Sequence, residues 1–173
     1  MAEGRAFVAL NIAVLTVSDS RTEHDDTSGR VLVERIQTAG HKLAEKYIVR
    51  DDIYRIREVV SRWIADEEVN AVVTTGGTGV TGRDGTPEAV RVLLDKEIDG
   101  FGELFRMLSW KEIRTSAVQS RAVAGAANGT YVFCLPGSSG ACRLAWDQII
   151  SAQLDFRHLP CNLVELMPRL RER

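Results

Sequence analysis

Hydrophobic positions run along the chain in blocks that switch between two periods. Ala9 to Val17 (ALNIAVLTV) is an almost continuous apolar run rich in β-branched residues, the pattern of a strand buried on both faces. The polar loop SDSRTEHDDTSG follows, then a helical pattern to Ala39 with Gly40 as its C-terminal stop. Leu43 to Val49 reads as a second, more alternating strand. Asp52 is placed to cap the next segment, where Ile53, Ile56, Val59, Val60, Trp63 and Ile64 form one apolar stripe of a helix. Ala71 to Thr75 predicts a third strand and runs directly into TTGGTGVTGRDGTPEA. Pro87 suits a first helical turn, with Val90, Leu93 and Leu94 as its buried stripe. Thr130 to Leu135 predicts another strand, broken by Pro136 and Gly137, before a helix through Leu144, Ala145 and Ile149.

Repeated strand–loop–helix units imply parallel strands joined by right-handed crossovers. The expected class is therefore α/β, a three-layer α/β/α sandwich with a mostly parallel central sheet. A length of 173 residues suits one domain, 1–173, with residues 1–8 and 163–173 expected to be flexible or peripheral ends. Arg169, Arg171 and Arg173 in that tail read as a solvated end.

Charge narrows the partners. A net charge of −2 gives no long-range attraction for nucleic acid or an anionic membrane, so any phosphate must be held by a local site. No stretch approaches the ~18 uninterrupted apolar residues of a membrane span, and the opening residues contain Glu3 and Arg5 and too short an apolar run for a signal peptide. Cys134, Cys142 and Cys161 form no CxxC pair and read as reduced core thiols in a reducing compartment. The expected location is the cytoplasm.

In parallel α/β sheets, ligands bind beyond the carboxyl ends of the strands. Those ends here carry Ser18-Asp19, Asp51-Asp52, Gly76-Gly77-Thr78-Gly79 and Pro136-Gly137-Ser138-Ser139. The glycines let successive N–H groups converge on an anion, although a tight turn without a ligand has the same composition. Gly77 to Gly82 matches GxGxxG, yet Arg83, Asp84 and Gly85 extend the loop and Pro87 delays the helix, unlike a dinucleotide fold; no Gly-Lys-Ser/Thr marks a Walker loop. Asp84, beside amides aimed at phosphate, fits Mg²⁺ bound with phosphates and waters, and Asp51 is a plausible second carboxylate. Helix capping by Asp84 or Thr86 is the competing reading, and for Asp52 the cap is preferred. Gly100-Phe101-Gly102-Glu103 shapes either a pocket wall or a packing turn. Ser109, Ser120 and Arg121 are polar residues on otherwise apolar helices, and Arg121 reads as either a surface residue or a phosphate clamp. His24, His41 and His158 show no triad or zinc spacing.

Taken in order, these segments resemble the MoaB/MogA family of molybdenum cofactor biosynthesis proteins, most closely its MoaB branch. The resemblance rests on TVSDSR (Thr16 to Arg21), DDTSG (Asp25 to Gly29), TGGTG (Thr75 to Gly79), TPEA (Thr86 to Ala89), GFGE-x-FR (Gly100 to Arg106), SRAVAG (Ser120 to Gly125), LPGS (Leu135 to Ser138) and PCN (Pro160 to Asn162). It implies a molybdopterin-binding fold, a homotrimer or homohexamer, and adenylyl transfer from ATP to the terminal phosphate of molybdopterin with release of pyrophosphate. It also leaves room for a molybdate-inserting partner, fused or separate.

Carried over residue by residue, the resemblance implies that Gly76, Gly77, Thr78 and Gly79 hold the pterin phosphate, and that Asp51 and Asp84 place Mg²⁺ and the nucleotide phosphates. Ser109 would lie near the dithiolene-phosphate end. Ser18, Asp19, Pro136, Gly137 and Ser138 would line the nucleotide pocket, with Thr86 and Glu88 of TPEA also in the binding set. Gly85 departs from the larger apolar residue usual before Thr-Pro, and Ser138-Ser139 from the usual Asn/Gln-Pro, a change the MoaB branch shares. Two other readings compete: a non-catalytic molybdopterin-binding or scaffold protein of the same pathway, and a phosphosugar or nucleotide enzyme unrelated to molybdenum.

Overall fold

The computed structural model describes residues 4–172; Met1, Ala2, Glu3 and Arg173, and the expectations that fall on them, lie outside the described residues. In chain order the elements are β1 (Asn11–Val17), α1 (Thr27–Thr38), β2 (Lys42–Val49), α2 (Ile53–Ala65), β3 (Ala71–Thr75), α3 (Thr86–Arg91), β4 (Lys96–Glu97), α4 (Asp99–Ile113), a 3₁₀ segment (Arg114–Gln119), β5 (Val123–Ala127), β6 (Thr130–Leu135), α5 (Ser139–Ala145), a π turn (Trp146–Ile150), α6 (Ser151–Gln153) and α7 (Leu163–Leu166). The strands form one sheet in the order β2-β1-β3-β6-β5-β4. β2, β1, β3 and β6 are mutually parallel, while β5 runs antiparallel to β6 and β4 antiparallel to β5. The fold is α/β with a mostly parallel sheet, as the alternating pattern implies.

Each strand serves two cores because successive side chains point to opposite faces. From β1, Ile12 and Val14 pack with Leu32 and Ile36 of α1, Phe105 of α4 and Cys142 of α5. Ala13 and Leu15 pack on the other face with Ile56, Val60 and Trp63 of α2 and Val90 of α3. The stripe read on α2 is thus its buried face, and Asp52 caps it, accepting from Tyr54 N at 2.9 Å and Arg55 N at 3.0 Å. Gly40, at φ +91°, ends α1 in a Schellman arrangement: its amide donates to Gln37 O and the His41 amide to Ile36 O.

The sequence reading is corrected at two points: β4 and β5 are strands it did not assign, and Ser120 and Arg121, read as helical, lie between the 3₁₀ segment and β5. The Gly100–Glu103 segment is helical and belongs to packing: Phe101 sits against Phe105 and Phe133 in the core. The described parts of both chain ends are tied down, since Arg5 pairs with Glu165 at 3.1 Å, Val164 is buried, and the Tyr131 hydroxyl donates to Leu163 O at 2.8 Å. Arg171 likewise donates to Asn128 O at 3.1 Å.

Candidate functional site

Where β1, β3 and β6 end, their following loops enclose a cavity of about 580 Å³. The strand ends supply its floor through Thr16, Ser18, Thr75 and Pro136, and Phe105, Ser109 and Glu112 of α4 form a facing wall. Gly76 to Gly79 and Asp84 line it from one side, and Gly137, Ser138 and Gly140 from another.

The glycine loop takes a course that only glycine accommodates at its start. Gly76 has φ +103° and Gly77 φ +68°. A Cβ on Gly76 would collide with the carbonyl oxygen of Val17, and one on Gly77 would collide with the Thr86 hydroxyl and lie 3.0 Å from an Asp51 oxygen. The loop is anchored by Gly76 N to Leu135 O at 3.0 Å, by Thr86 N to Gly77 O at 3.0 Å and by the Thr86 hydroxyl to Gly76 O at 2.8 Å. The amides of Gly77 and Thr78 have no protein acceptor among the described residues.

No dinucleotide geometry is present: α3 does not begin until Thr86. Neither Asp84 nor Thr86 caps that helix, which correct both capping readings; its N-cap is Gly85, without a side-chain bond. Asp84 instead folds back on its own loop, accepting from Thr81 N at 2.8 Å and from the Thr81 hydroxyl at 2.6 Å. The Thr81 hydroxyl bond is the largest influence holding the Asp84 carboxyl below its usual range.

Asp51 stands on the other side of the loop. It accepts from Gly85 N at 3.3 Å, and Asp19 accepts from Asp51 N at 3.2 Å. Burial, first, and then the negative charges of Asp84 and Asp19 push the Asp51 carboxyl above its usual range. Asp51 and Asp84 also line a smaller recess together with Arg83 and Glu88. Among the described residues no three His, Cys, Asp or Glu side chains are grouped to hold a metal by themselves. Two carboxylates lining one recess fit Mg²⁺ arriving with phosphates and waters better than a dedicated protein cage.

The remaining residues divide by how their polar atoms are used. Ser18 accepts from Ser20 N and Arg21 N, and Ser138 accepts from Ala141 N as the cap of α5, so each hydroxyl keeps its own proton to donate. The Ser109 hydroxyl donates to Phe105 O at 2.8 Å and offers the cavity only an acceptor. Asp19 does not line the cavity: Arg83 grips both of its oxygens, at 2.7 and 2.8 Å from one nitrogen. Glu88 is paired with Arg121. Arg121 is neither a free surface residue nor a phosphate clamp, since its guanidinium also donates to Gly79 O at 2.7 Å and Asp84 O at 3.0 Å.

Sequence reasoning missed the support beneath the floor. Asp26, buried, caps α1 through Gly29 N at 3.0 Å, accepts from the Thr16 hydroxyl at 2.7 Å, and pairs with Lys46 at 2.8 Å. Its DDTSG setting was visible, but its partners lie 10 and 20 residues away on two strands. Cys142 was also missed: its thiol donates to the Thr75 hydroxyl at 3.2 Å, which donates to Pro136 O at 3.0 Å, tying α5 to the ends of β3 and β6.

Known proteins share this architecture. Residues 13–155 match the family described as a probable molybdopterin binding domain. A molybdenum cofactor biosynthesis protein B from Escherichia coli (strain K12) is 55% identical over 156 residues, covering 90% of this chain and 92% of that one. The Bacillus cereus protein of that name is 51% identical over 142 residues, with 82% and 84% covered. A crystal structure of a molybdenum cofactor biosynthesis protein B superposes with a TM-score of 0.87 at 44% identity, covering 98% of this chain and 100% of the other. The tungsten cofactor synthesizing protein MoaB from Pyrococcus furiosus gives 0.79 at 33% identity, over 95% and 98%. With the family model spanning most of its length and relatives matching it nearly end to end, the chain belongs to the MoaB/MogA family of molybdenum cofactor biosynthesis proteins.

Proposed function

We propose that the protein binds molybdopterin in the cavity at the strand ends and transfers an adenylyl group to it from Mg-ATP. The observation that carries this reading is one wall on which unpartnered Gly77 and Thr78 amides stand next to Asp84, with Asp51 across the loop. In the reaction, an oxygen of the terminal pterin phosphate attacks the α-phosphorus of ATP. The bond from that phosphorus to the bridging oxygen breaks, and pyrophosphate leaves.

The chain's part is positioning and charge neutralisation. Gly77 and Thr78 amides hold the attacking phosphate. Ser18 and Ser138, each with a hydroxyl proton to give, donate to nucleotide phosphate oxygens. Asp51 and Asp84 hold Mg²⁺, which offsets charge on the phosphates. Thr86 and Arg121 fix the loop, and Ser109 faces the pterin side. Exposed Met107, Trp110, Ile113 and Val118 on α4 and the following 3₁₀ segment suit contact between copies in a homotrimer or homohexamer. The reduced thiols suit a cytoplasmic protein that hands its product to a molybdate-inserting partner.

Incubation with molybdopterin, Mg²⁺ and ATP tests the reading, with adenylyl-molybdopterin and pyrophosphate as products. Asp84→Asn keeps an acceptor for Thr81, so it is expected to fold and bind pterin while losing turnover by about a hundredfold. Product formation absent in the wild type, with molybdopterin still bound, would leave the scaffold reading in its place.

A further inference from the structure

We propose that Arg121 is a positioning residue that aims both Asp51 and Asp84 from behind the glycine loop; the inference rests on the reading of those two carboxylates as a cation site. Three carbonyls of the loop turn toward this residue. Its backbone N–H donates to Thr78 O at 3.3 Å, its Nε to Gly79 O at 2.7 Å and a terminal nitrogen to Asp84 O at 3.0 Å. The remaining terminal nitrogen pairs with Glu88, which fixes the guanidinium plane.

A trans peptide points its C=O and its N–H in opposite directions. Drawing Thr78 O toward the Arg121 backbone therefore turns the Gly79 N–H away, on the loop where Asp84 packs against Gly79, and that amide helps hold the Asp84 carboxyl below its usual range. Drawing Asp84 O toward Arg121 turns the Gly85 N–H away in the same manner, and that amide donates to Asp51 Oδ1 at 3.3 Å. One residue thus sets both amides, that of Gly79 through its backbone N–H and that of Gly85 through its guanidinium, without itself lining the cavity.

The arrangement requires a planar fork. Arg supplies separate donors at fixed angles, whereas the Lys ammonium is a point on a flexible stem and reaches one carbonyl at a time. The carboxylate of Glu88 is consumed in holding that fork, which leaves Asp51 and Asp84 as the acids across the loop. Loss of Glu88 should loosen the same element more mildly, because the two carbonyl bonds of Arg121 remain.

The test compares wild type, Arg121→Lys and Glu88→Gln as full chains, with two readouts independent of turnover. Hydrogen exchange by mass spectrometry follows the segment 77–86, and Mn²⁺ binding in the presence of α,β-methylene-ATP is followed by electron paramagnetic resonance. Arg121→Lys is expected to accelerate exchange in that segment alone and to weaken Mn²⁺ binding about tenfold, the scale of a lost charge-assisted bond. Glu88→Gln should do so less, and the double variant no more than Arg121→Lys. Unchanged exchange, or faster exchange with unchanged Mn²⁺ affinity, overturns the inference while leaving the adenylyl transfer intact. Wild type that binds Mn²⁺ and responds as expected but forms no adenylyl-molybdopterin supports the inference and removes the reaction. Wild type that binds no Mn²⁺ removes both the cation site and the inference.

Discussion

Thr16 at the end of β1 donates its hydroxyl to Asp26 at 2.7 Å, joining the strand under the cavity to the cap of α1. The same carboxylate takes Lys46 from β2, so one buried acid binds three elements.

Gly29→Ala should break this junction. A Cβ there would collide with an oxygen of Asp26 and stand 2.5 Å from the Thr16 hydroxyl oxygen. A loss of about 2–3 kcal/mol is expected, combining overpacking with a lost buried hydrogen bond. Urea unfolding measures it, with Thr16→Val as a companion that loses the bond without the collision.

The Asp26–Lys46 pair also sets a pH window. Burial raises the Asp26 pKa, but Lys46, Thr16 and the Gly29 amide outweigh it, so the folded value lies below 3.8. That stability is present above 3.8 and is lost as pH falls through the lower folded value. Burial lowers Lys46, but Asp26 and Glu23 outweigh it, so its folded value lies above 10.5 and its contribution is lost as pH rises through that higher value. Asp26→Asn should flatten the acid limb in pH-dependent melting curves; an unchanged limb would assign acid unfolding elsewhere.

Asp51 predicts the opposite sign. Its folded pKa is raised, by burial first, so its charge weakens the fold as pH rises above 3.8. In the absence of divalent cations at neutral pH, Asp51→Asn should therefore melt at a higher temperature than wild type, and the difference should shrink as pH falls toward the Asp51 pKa. Added Mg²⁺ with ATP should stabilise wild type and leave the variant nearly unaffected in thermal shift measurements.

Much of this architecture was legible because apolar period and length coincide in the parallel strands and in α2, whose Ile56, Val60 and Trp63 are buried as spaced. β5 was not, since Val123–Ala127 (VAGAA) carries small side chains of weak strand preference, and β4 is two residues long. The glycine loop announced itself, but its brace did not: Arg121 and Gly79 are 42 positions apart, and only folding shows which carbonyls an arginine meets. Asp84 and Thr86 carried a capping signal that bonds within their own loop, to Thr81 and Gly76, displaced.

The thiols give a chemical check. Burial pushes Cys134 up to about 12 and Cys142 up to about 11, whereas Cys161, expected in the core with them, is exposed. Iodoacetamide at pH 8 should label Cys161 in the folded protein, and the other two only after unfolding. Rapid labelling of Cys142 in the native state would mean that the Thr75–Pro136 tie opens readily.

Asp84 borders both the large cavity and the small recess that holds Asp51. A group shared by two compartments makes their occupants thermodynamically linked: whatever factor a cation in the recess applies to affinity in the cavity, the cavity's guest returns to the cation. Neither affinity is then a fixed property of its own chamber, and each must be quoted at a stated concentration of the other.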